Sequence, residues 1–214
     1  MKVLTIDPNH FEVSELNPAV EVMQQGGVLA YPTETVYGLG ANIFLKAAVE
    51  RIYHLKKRVS SKPMSIMIAS DEEARKLCVE ISKQAEVLMD TFWPGPLTLI
   101  FRAASSVPEY MVSASGTIGL RYPDHPITRA LMHLHGQPVT STSANASGAE
   151  PAQSAREVVW SFANEVDMVI DAGTFPAQKP STVVDLAQGE LRVVREGAIS
   201  KNQLTACLKE LLNE

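Results

Sequence analysis

An α/β (α+β) fold built on a mixed sheet is what this sequence predicts, and three observations carry that expectation. Segments with apolar residues at helical spacing alternate with short apolar runs of strand length along the whole chain. Hydrophobic residues make up 45% of the 214, enough to bury a full core, and no shift in composition marks a second domain. The last two strand-like runs, 182–186 and 191–194, are separated by a polar turn at Gln188-Gly189, which suits an antiparallel pair.

Taken in order, Asn17 as N-cap, Pro18 in the first turn and Gly26-Gly27 beyond the end write out a helix over 19–25. It leads into a buried strand, 28–31, which stops at Tyr31-Pro32-Thr33-Glu34-Thr35-Val36-Tyr37-Gly38-Leu39-Gly40. Pro32 cannot donate into a ladder, and Gly38 and Gly40 admit backbone conformations closed to other residues, so the stretch reads as a loop. Pattern alone leaves two readings level: a loop presenting hydroxyls and an acid to a ligand, or a connection whose hydroxyls satisfy local backbone groups. Apolar residues at 45, 49, 52 and 55 give a helix over 45–57 that projects Lys56-Lys57-Arg58 from its end. Residues 64–69 read as a strand, 71–79 as a helix capped by Ser70, and 82–91 as another helix. Trp93-Pro94-Gly95-Pro96 then breaks the chain before strand 97–102, with the Trp expected to pack a corner into the core. Strand 117–121, helix 126–135 and strand 139–141 follow, the last running into Ser143-Ala144-Asn145. Ser154-x-x-Glu157 and Ser200-x-x-Gln203 are capping boxes that open two more helices, with a strand at 168–170 between them.

The formal charge of -5 argues against bulk electrostatic binding of nucleic acid, so any anion site must be built locally. Two distant cysteines, Cys78 and Cys207, suit neither a disulfide framework nor a zinc site and point to the cytoplasm. Residues 1–10 lack the pattern of a secretory signal, and no apolar stretch approaches the ~20 residues that span a bilayer, so no membrane association is expected. Gly38-x-Gly40 lacks the third glycine of a dinucleotide fingerprint, and no Walker A sequence occurs. What the chain does offer is hydroxyls at three strand ends: Thr33 and Thr35, Ser141 to Ser143, and Ser181 with Thr182. Against them stand Lys56, Arg58, Lys62, Arg121 and Arg195. Donors and cations of this kind replace the water that a phosphate or carboxylate loses on binding. With no His or Cys nearby in sequence, Ser143 reads as an anion ligand and not as a nucleophile.

Six ordered blocks, Pro32-Thr33-Glu34-Thr35-Val36-Tyr37-Gly38-Leu39, Lys56-x-Arg58 with Lys62-Pro63, Trp93-Pro94-Gly95-Pro96-Leu97-Thr98, Arg121-x-Pro123, Ser143-Ala144-Asn145 and Pro180-Ser181-Thr182-Val183, closely resemble the threonylcarbamoyl-AMP synthases. The resemblance spans roughly residues 15 to 200. It implies a single YrdC-like catalytic domain over 8–200, with 201–214 as its C-terminal helix, in which helices flank a twisted mixed sheet around a concave basic cavity. Some members carry a further C-terminal domain, which these 214 residues are expected to be too few to hold. The implied reaction joins L-threonine, bicarbonate or CO2 and ATP into threonylcarbamoyl-AMP and pyrophosphate, and a separate complex passes the threonylcarbamoyl group to tRNA. Mg²⁺ is expected to travel with ATP, without a metal site of the protein's own. By resemblance, Lys56 and Arg58 serve catalysis, and Thr35, Arg121 and Ser181 bind threonine. Arg58, Lys62, Thr117, Ser143, Asn145 and Arg195 bind ATP, with Asn145 also supporting the Ser143 loop.

Two positions depart from the family pattern. Val59 follows Arg58 where proline is common, and Met67 stands where a histidine is frequent. Two other classes compete with the synthase. One is an RNA-binding paralogue of the same fold, for which a weak tRNA contact would suffice; the other is a carbamoyl-adenylate enzyme of hydrogenase maturation, whose cysteine-rich fingers are missing here.

Overall fold

The computed structural model describes residues 1–59, 63–163, 165–174, 178–189 and 191–211. Among them ten strands form one mixed sheet. In chain order they are β1 (Lys2–Thr5), β2 (Leu29–Tyr31), β3 (Gly38–Gly40), β4 (Ser65–Met67), β5 (Leu97–Arg102), β6 (Thr117–Arg121), β7 (Val139–Ser143), β8 (Met168–Asp171), β9 (Thr182–Asp185) and β10 (Arg192–Arg195). They are arranged β1-β8-β2-β3-β7-β4-β6-β5-β9-β10. Seven helices accompany them: α1 (Asn17–Gln24), α2 (Lys46–Leu55), α3 (Asp71–Leu77), α4 (Lys83–Phe92), α5 (Pro126–His135), α6 (Ala155–Phe162) and α7 (Lys201–Leu211). The expected antiparallel pair is present as β9 with β10, and the parallel pairs β1/β8, β2/β8, β4/β6 and β5/β9 make the sheet mixed.

Strands β5 and β6 and helix α5 fall where composition placed them, because alternation and punctuation agree there. Ser70 and Ser82 accept the Glu73 and Ala85 amides as N-caps, and Ser200 and Gln203 form the reciprocal capping box of α7. Trp93 is buried and donates its indole N–H to the Leu97 carbonyl at 2.8 Å. Other boundaries shift. Leu16, not Asn17, is the N-cap of α1, because a 3₁₀ turn over Val13–Leu16 runs straight into the helix and leaves Asn17 inside it. β7 continues two residues past Ser141, since Thr142 and Ser143 pair with β3. β1 was not anticipated; it is a four-residue outer strand with a mostly exposed pattern, too short and too polar in environment to show alternation.

The largest correction concerns Gly38 and Gly40. Neither has a positive φ; both lie in β3, which turns back antiparallel on β2 and forms a hairpin. The glycines are there for space. A Cβ on Gly40 would stand 2.5 Å from a ring carbon of Tyr31, and one on Gly38 would stand 2.9 Å away from that ring. The fully buried Tyr31 ring therefore lies flat across β3 and donates its hydroxyl to the Thr140 carbonyl at 3.1 Å. Gly40→Ala is expected to lower the unfolding free energy by ~1–3 kcal/mol through overpacking. Urea titration checks this, and a wild-type midpoint would refute the shelf that Tyr31 is said to need.

Two apolar layers cover the sheet. Leu29, Tyr31, Met67, Val139, Met168 and Ile170 pack with α1 and α5 on one face, while Ala30, Ile66, Leu99, Leu120 and Val184 pack with α2, α4 and α6 on the other. Cross-strand register shows what happens along the first face. Val139, Met67, Arg121, Thr98, Val183 and Arg195 are successive partners across β7, β4, β6, β5, β9 and β10, so they share it. Val139 and Met67 lie under α5; from Arg121 onward the side chains face a cavity instead. The site begins where the helical layer ends.

Candidate functional site

The cavity encloses about 450 Å³. Period-2 alternation builds its floor: Leu97, Leu99 and Phe101 turn into the core while Thr98 and Ile100 turn into the cavity, as do Thr117, Gly119 and Arg121 between Ile118 and Leu120. One wall is the loop joining β2 to β3, another is the end of β7, and a third comes from Pro180, Ser181 and β10. Among the described residues that line it, three are arginines, Arg58, Arg121 and Arg195, and none is acidic. In a chain of net charge -5 this is a local concentration of positive charge.

Arg121 is the best defined of the three. It is 6% exposed, and its Nη2 donates to Glu34 Oε1 and to Thr35 Oγ1, both at 2.8 Å. Glu34 also accepts the Asp124 amide at 3.2 Å, so the acid holds the guanidinium from behind the cavity wall. The buried Nε of Arg121 has no partner, a donor left for a ligand. His125, buried beside this pair, is pushed down to about 4 by its loss of hydration, which the Glu34 and Asp124 charges only partly offset. It is therefore neutral at physiological pH and adds no cation.

Across the floor, Arg195 donates through Nε and Nη2 to the Ser181 carbonyl and through Nη2 to Ser181 Oγ, which is itself 3.0 Å from Thr98 Oγ1. Residue 195 stays open to solvent, yet its guanidinium is held against Ser181. Lost hydration, and then the nearby Arg121 charge, lower its pKa. Two guanidiniums that feel each other across one cavity are stabilised by an anion between them.

Seven of the ten residues singled out from sequence line this cavity: Thr35, Arg58, Thr117, Arg121, Ser143, Ser181 and Arg195. Arg58 reaches it after donating to the Pro63 carbonyl, and Thr117 is tied to Ser113 at 2.7 Å in a turn of hydroxyls. Lys62 lies outside the described residues. Lys56 and Asn145 sit beneath the wall and not on its surface. Helix α2 stops at Leu55, Lys57 takes a φ of 49°, and Lys56 is carried inward to 2% exposure. There its ammonium donates to the carbonyls of Ser143 and Asn145 and to Asn145 Oδ1. Asn145 Oδ1 also accepts from Ser143 Oγ, while Nδ2 donates to the Ala146 and Ala149 carbonyls. Burial, reinforced by the Arg58 charge, pushes the Lys56 pKa down to about 8.

The sequence shows Thr33 as a strand-end hydroxyl and Glu34 as an acid of the loop without a specific partner for either, and leaves Thr98 without a role. The alternation of Leu97-Thr98-Leu99 was a signal for Thr98; nothing local announced that Glu34 would meet an arginine 87 positions away. The Thr-Glu-Thr loop divides its hydroxyls between local backbone and the cavity. Thr33 satisfies the amides of Thr35 and Val36, while Thr35 faces the cavity. Val59, where proline is common, is exposed, and Met67 is a buried side chain at the cavity edge. Among the described residues no helix is long and apolar enough to cross a membrane.

The Sua5, YciO and YrdC family model, described as telomere recombination, matches residues 21–197. Among curated relatives, the threonylcarbamoyl-AMP synthase of Pyrococcus abyssi is 36% identical over 90% of this chain and 57% of its own length. That of Coxiella burnetii is 34% identical over 82% of this chain and 95% of its own. The solved structure of P. abyssi Sua5 complexed with L-threonine superposes with a TM-score of 0.93 at 34% identity, covering 98% of this chain and 62% of that one. This chain thus spans less than two thirds of the P. abyssi protein and nearly the whole of the Coxiella one.

Proposed function

From the premise that the chain belongs to the Sua5, YciO and YrdC family, we propose that it is a threonylcarbamoyl-AMP synthase. The observation that carries this reading is a cavity whose described lining holds three arginines and no acid, one of the arginines keeping a buried, unpartnered Nε. The reaction needs no protein nucleophile. The amine of threonine adds to CO2, forming an N–C bond and releasing a proton to solvent. An oxygen of the resulting carbamate attacks the α-phosphorus of ATP, and the bond to pyrophosphate breaks. Carboxylate, carbamate and triphosphate must be held together, and the charge growing on the leaving group must be met.

Arg121 suits the threonine carboxylate, with Thr35 and Ser181 beside it; Arg58 and Arg195 suit the phosphates, and Ser143 with Thr117 supplies hydroxyl donors. Lys56 we assign to holding the Ser143 loop from beneath, since its three hydrogen bonds are made there. Mg²⁺ enters as part of the MgATP substrate, coordinated through phosphate oxygens; among the described residues no group of three His, Cys, Asp or Glu is placed to hold a metal. The product is a reactive mixed anhydride, which a transferase complex acting on tRNA consumes.

Incubating the pure protein with MgATP, bicarbonate and L-threonine is expected to release pyrophosphate only when all are present. Release that ignores threonine would sink the proposal. A salt-sensitive gel shift of tRNA without threonine-dependent turnover would favour the RNA-binding paralogue instead.

A further inference from the structure

Thr98 lies in the middle of the cavity floor. It pairs across the sheet with Arg121 on β6 and with Val183 on β9, and Val183 pairs in turn with Arg195 on β10. With strands ~4.8 Å apart, Thr98 is set between the two arginines, one strand from Arg121 and two from Arg195. Its Oγ1 is 3.0 Å from Ser181 Oγ, which accepts Arg195 Nη2 at 3.1 Å. Thr98 is 3% and Ser181 5% exposed, and both line the cavity. The two hydroxyls carry two hydrogens, of which their mutual bond uses one. If Ser181 donates, the Thr98 hydrogen is left over; if Thr98 donates, the Ser181 hydrogen is. Arg195 has only donors and takes neither. In both arrangements one O–H of the pair meets no acceptor among the described residues. A spare donor on the floor between two cations calls for an anionic oxygen.

Reach decides which anion. On the synthase reading above, on which this inference rests, Arg121 holds the threonine carboxylate and Arg195 the phosphates. Three bonds separate the carboxylate carbon of threonine from the carbon that CO2 adds to its nitrogen, a reach comparable with one strand spacing of ~4.8 Å. The carbamate therefore falls over Thr98. We propose that Thr98 is a further catalytic residue and that the Thr98–Ser181 pair is the carbamate subsite, its spare hydrogen donated to one carbamate oxygen. The addition of an amine to CO2 is reversible, so a donor that holds the carbamate keeps it in place until it reacts. The other carbamate oxygen stays free to form the bond to the α-phosphorus as the bond to pyrophosphate breaks. The pair exchanges no proton with the substrate; the amine's proton has already gone to solvent.

The test follows pyrophosphate release by the full chain against bicarbonate concentration, beside calorimetric binding of L-threonine and of α,β-methylene-ATP in CO2-free buffer. Thr98→Val should raise the KM for bicarbonate about 10-fold or more and leave both affinities within about 2-fold of the wild type. Thr98→Ser keeps the hydroxyl and should return the wild-type KM. Where Thr98→Val does not fold, Thr98→Ala removes the same hydroxyl and should show the same shift. An unchanged bicarbonate KM overturns the proposal. So does a threonine affinity that falls as far as the bicarbonate dependence, since the spare hydrogen would then serve the carboxylate. A wild-type protein whose pyrophosphate release ignores threonine fails the synthase reading itself, and the proposal falls with it; a threonine-dependent wild type with an indifferent Thr98→Val fails the proposal alone.

Discussion

Arg121→Ala is expected to abolish threonine binding at ordinary concentrations while sparing most of the affinity for ATP. The cost follows from burial. Truncating one partner of a desolvated charge pair costs ~2–5 kcal/mol, or roughly 30- to several thousand-fold in affinity. Here the arginine is 6% exposed, and a ligand carboxylate would meet an Nε that has no other acceptor. Arg121→Lys keeps the charge and should recover little, because an ammonium has no fixed fork to hold Glu34, Thr35 and a ligand at once. Arg121→Ala also leaves the half-buried Glu34 without its partner beside a neutral histidine, so stability should fall by ~1–3 kcal/mol. Adding Glu34→Gln to Arg121→Ala should return part of that stability without returning threonine binding. Calorimetry with each ligand, run beside thermal denaturation, separates the two effects. Equal losses for ATP and threonine would show that Arg121 shapes the cavity as a whole and does not read the carboxylate.

How much of this could be read in advance depends on distance along the chain. β6 was legible because Ile118 and Leu120 alternate with polar or small neighbours, and that alternation sets Arg121 on the face away from the core. Thr35, Ser143 and Ser181 were legible as hydroxyls at strand ends, which is where a sheet presents groups to a ligand. The direction in which Lys56 points was not legible. A lysine one residue past a helix reads as a solvated charge, and only the arrival of β7, 87 positions later, gives it carbonyls to bind. Gly38 and Gly40 misled for a related reason. Local sequence explains glycine by backbone freedom, whereas these two are fixed by an aromatic ring on the neighbouring strand, a non-local fact. The cavity itself belongs to no segment; it exists because α5 covers one end of a sheet face and leaves the rest of the row open.

Lys56→Met is expected to carry the second large effect, and its pH dependence tells support from direct contact. Methionine fills the space but takes from the Asn145 carbonyl its ammonium donor, while the Ser143 carbonyl keeps the Asn145 amide and Asn145 Oδ1 keeps the Ser143 hydroxyl. At ~1–3 kcal/mol for an unsatisfied buried acceptor, stability should fall by about that amount. ATP binding should weaken with the loss of Ser143 placement. The sign of the pH effect follows from the depressed pKa. Below about 8 the lysine is charged in both folded and unfolded chains, and the folded state bears the full cost of a buried charge. Between about 8 and 10.5 it is neutral when folded and still charged when unfolded, so folding is favoured increasingly as pH rises. The stability of the wild type relative to Lys56→Met should therefore increase across that window by up to ~3 kcal/mol, and level off above it. Urea denaturation of both proteins at intervals from pH 7.5 to 10.5 measures the difference directly. A difference that stays flat, or falls, would mean that Lys56 is hydrated and free to reach the phosphates, and the loop would need another support.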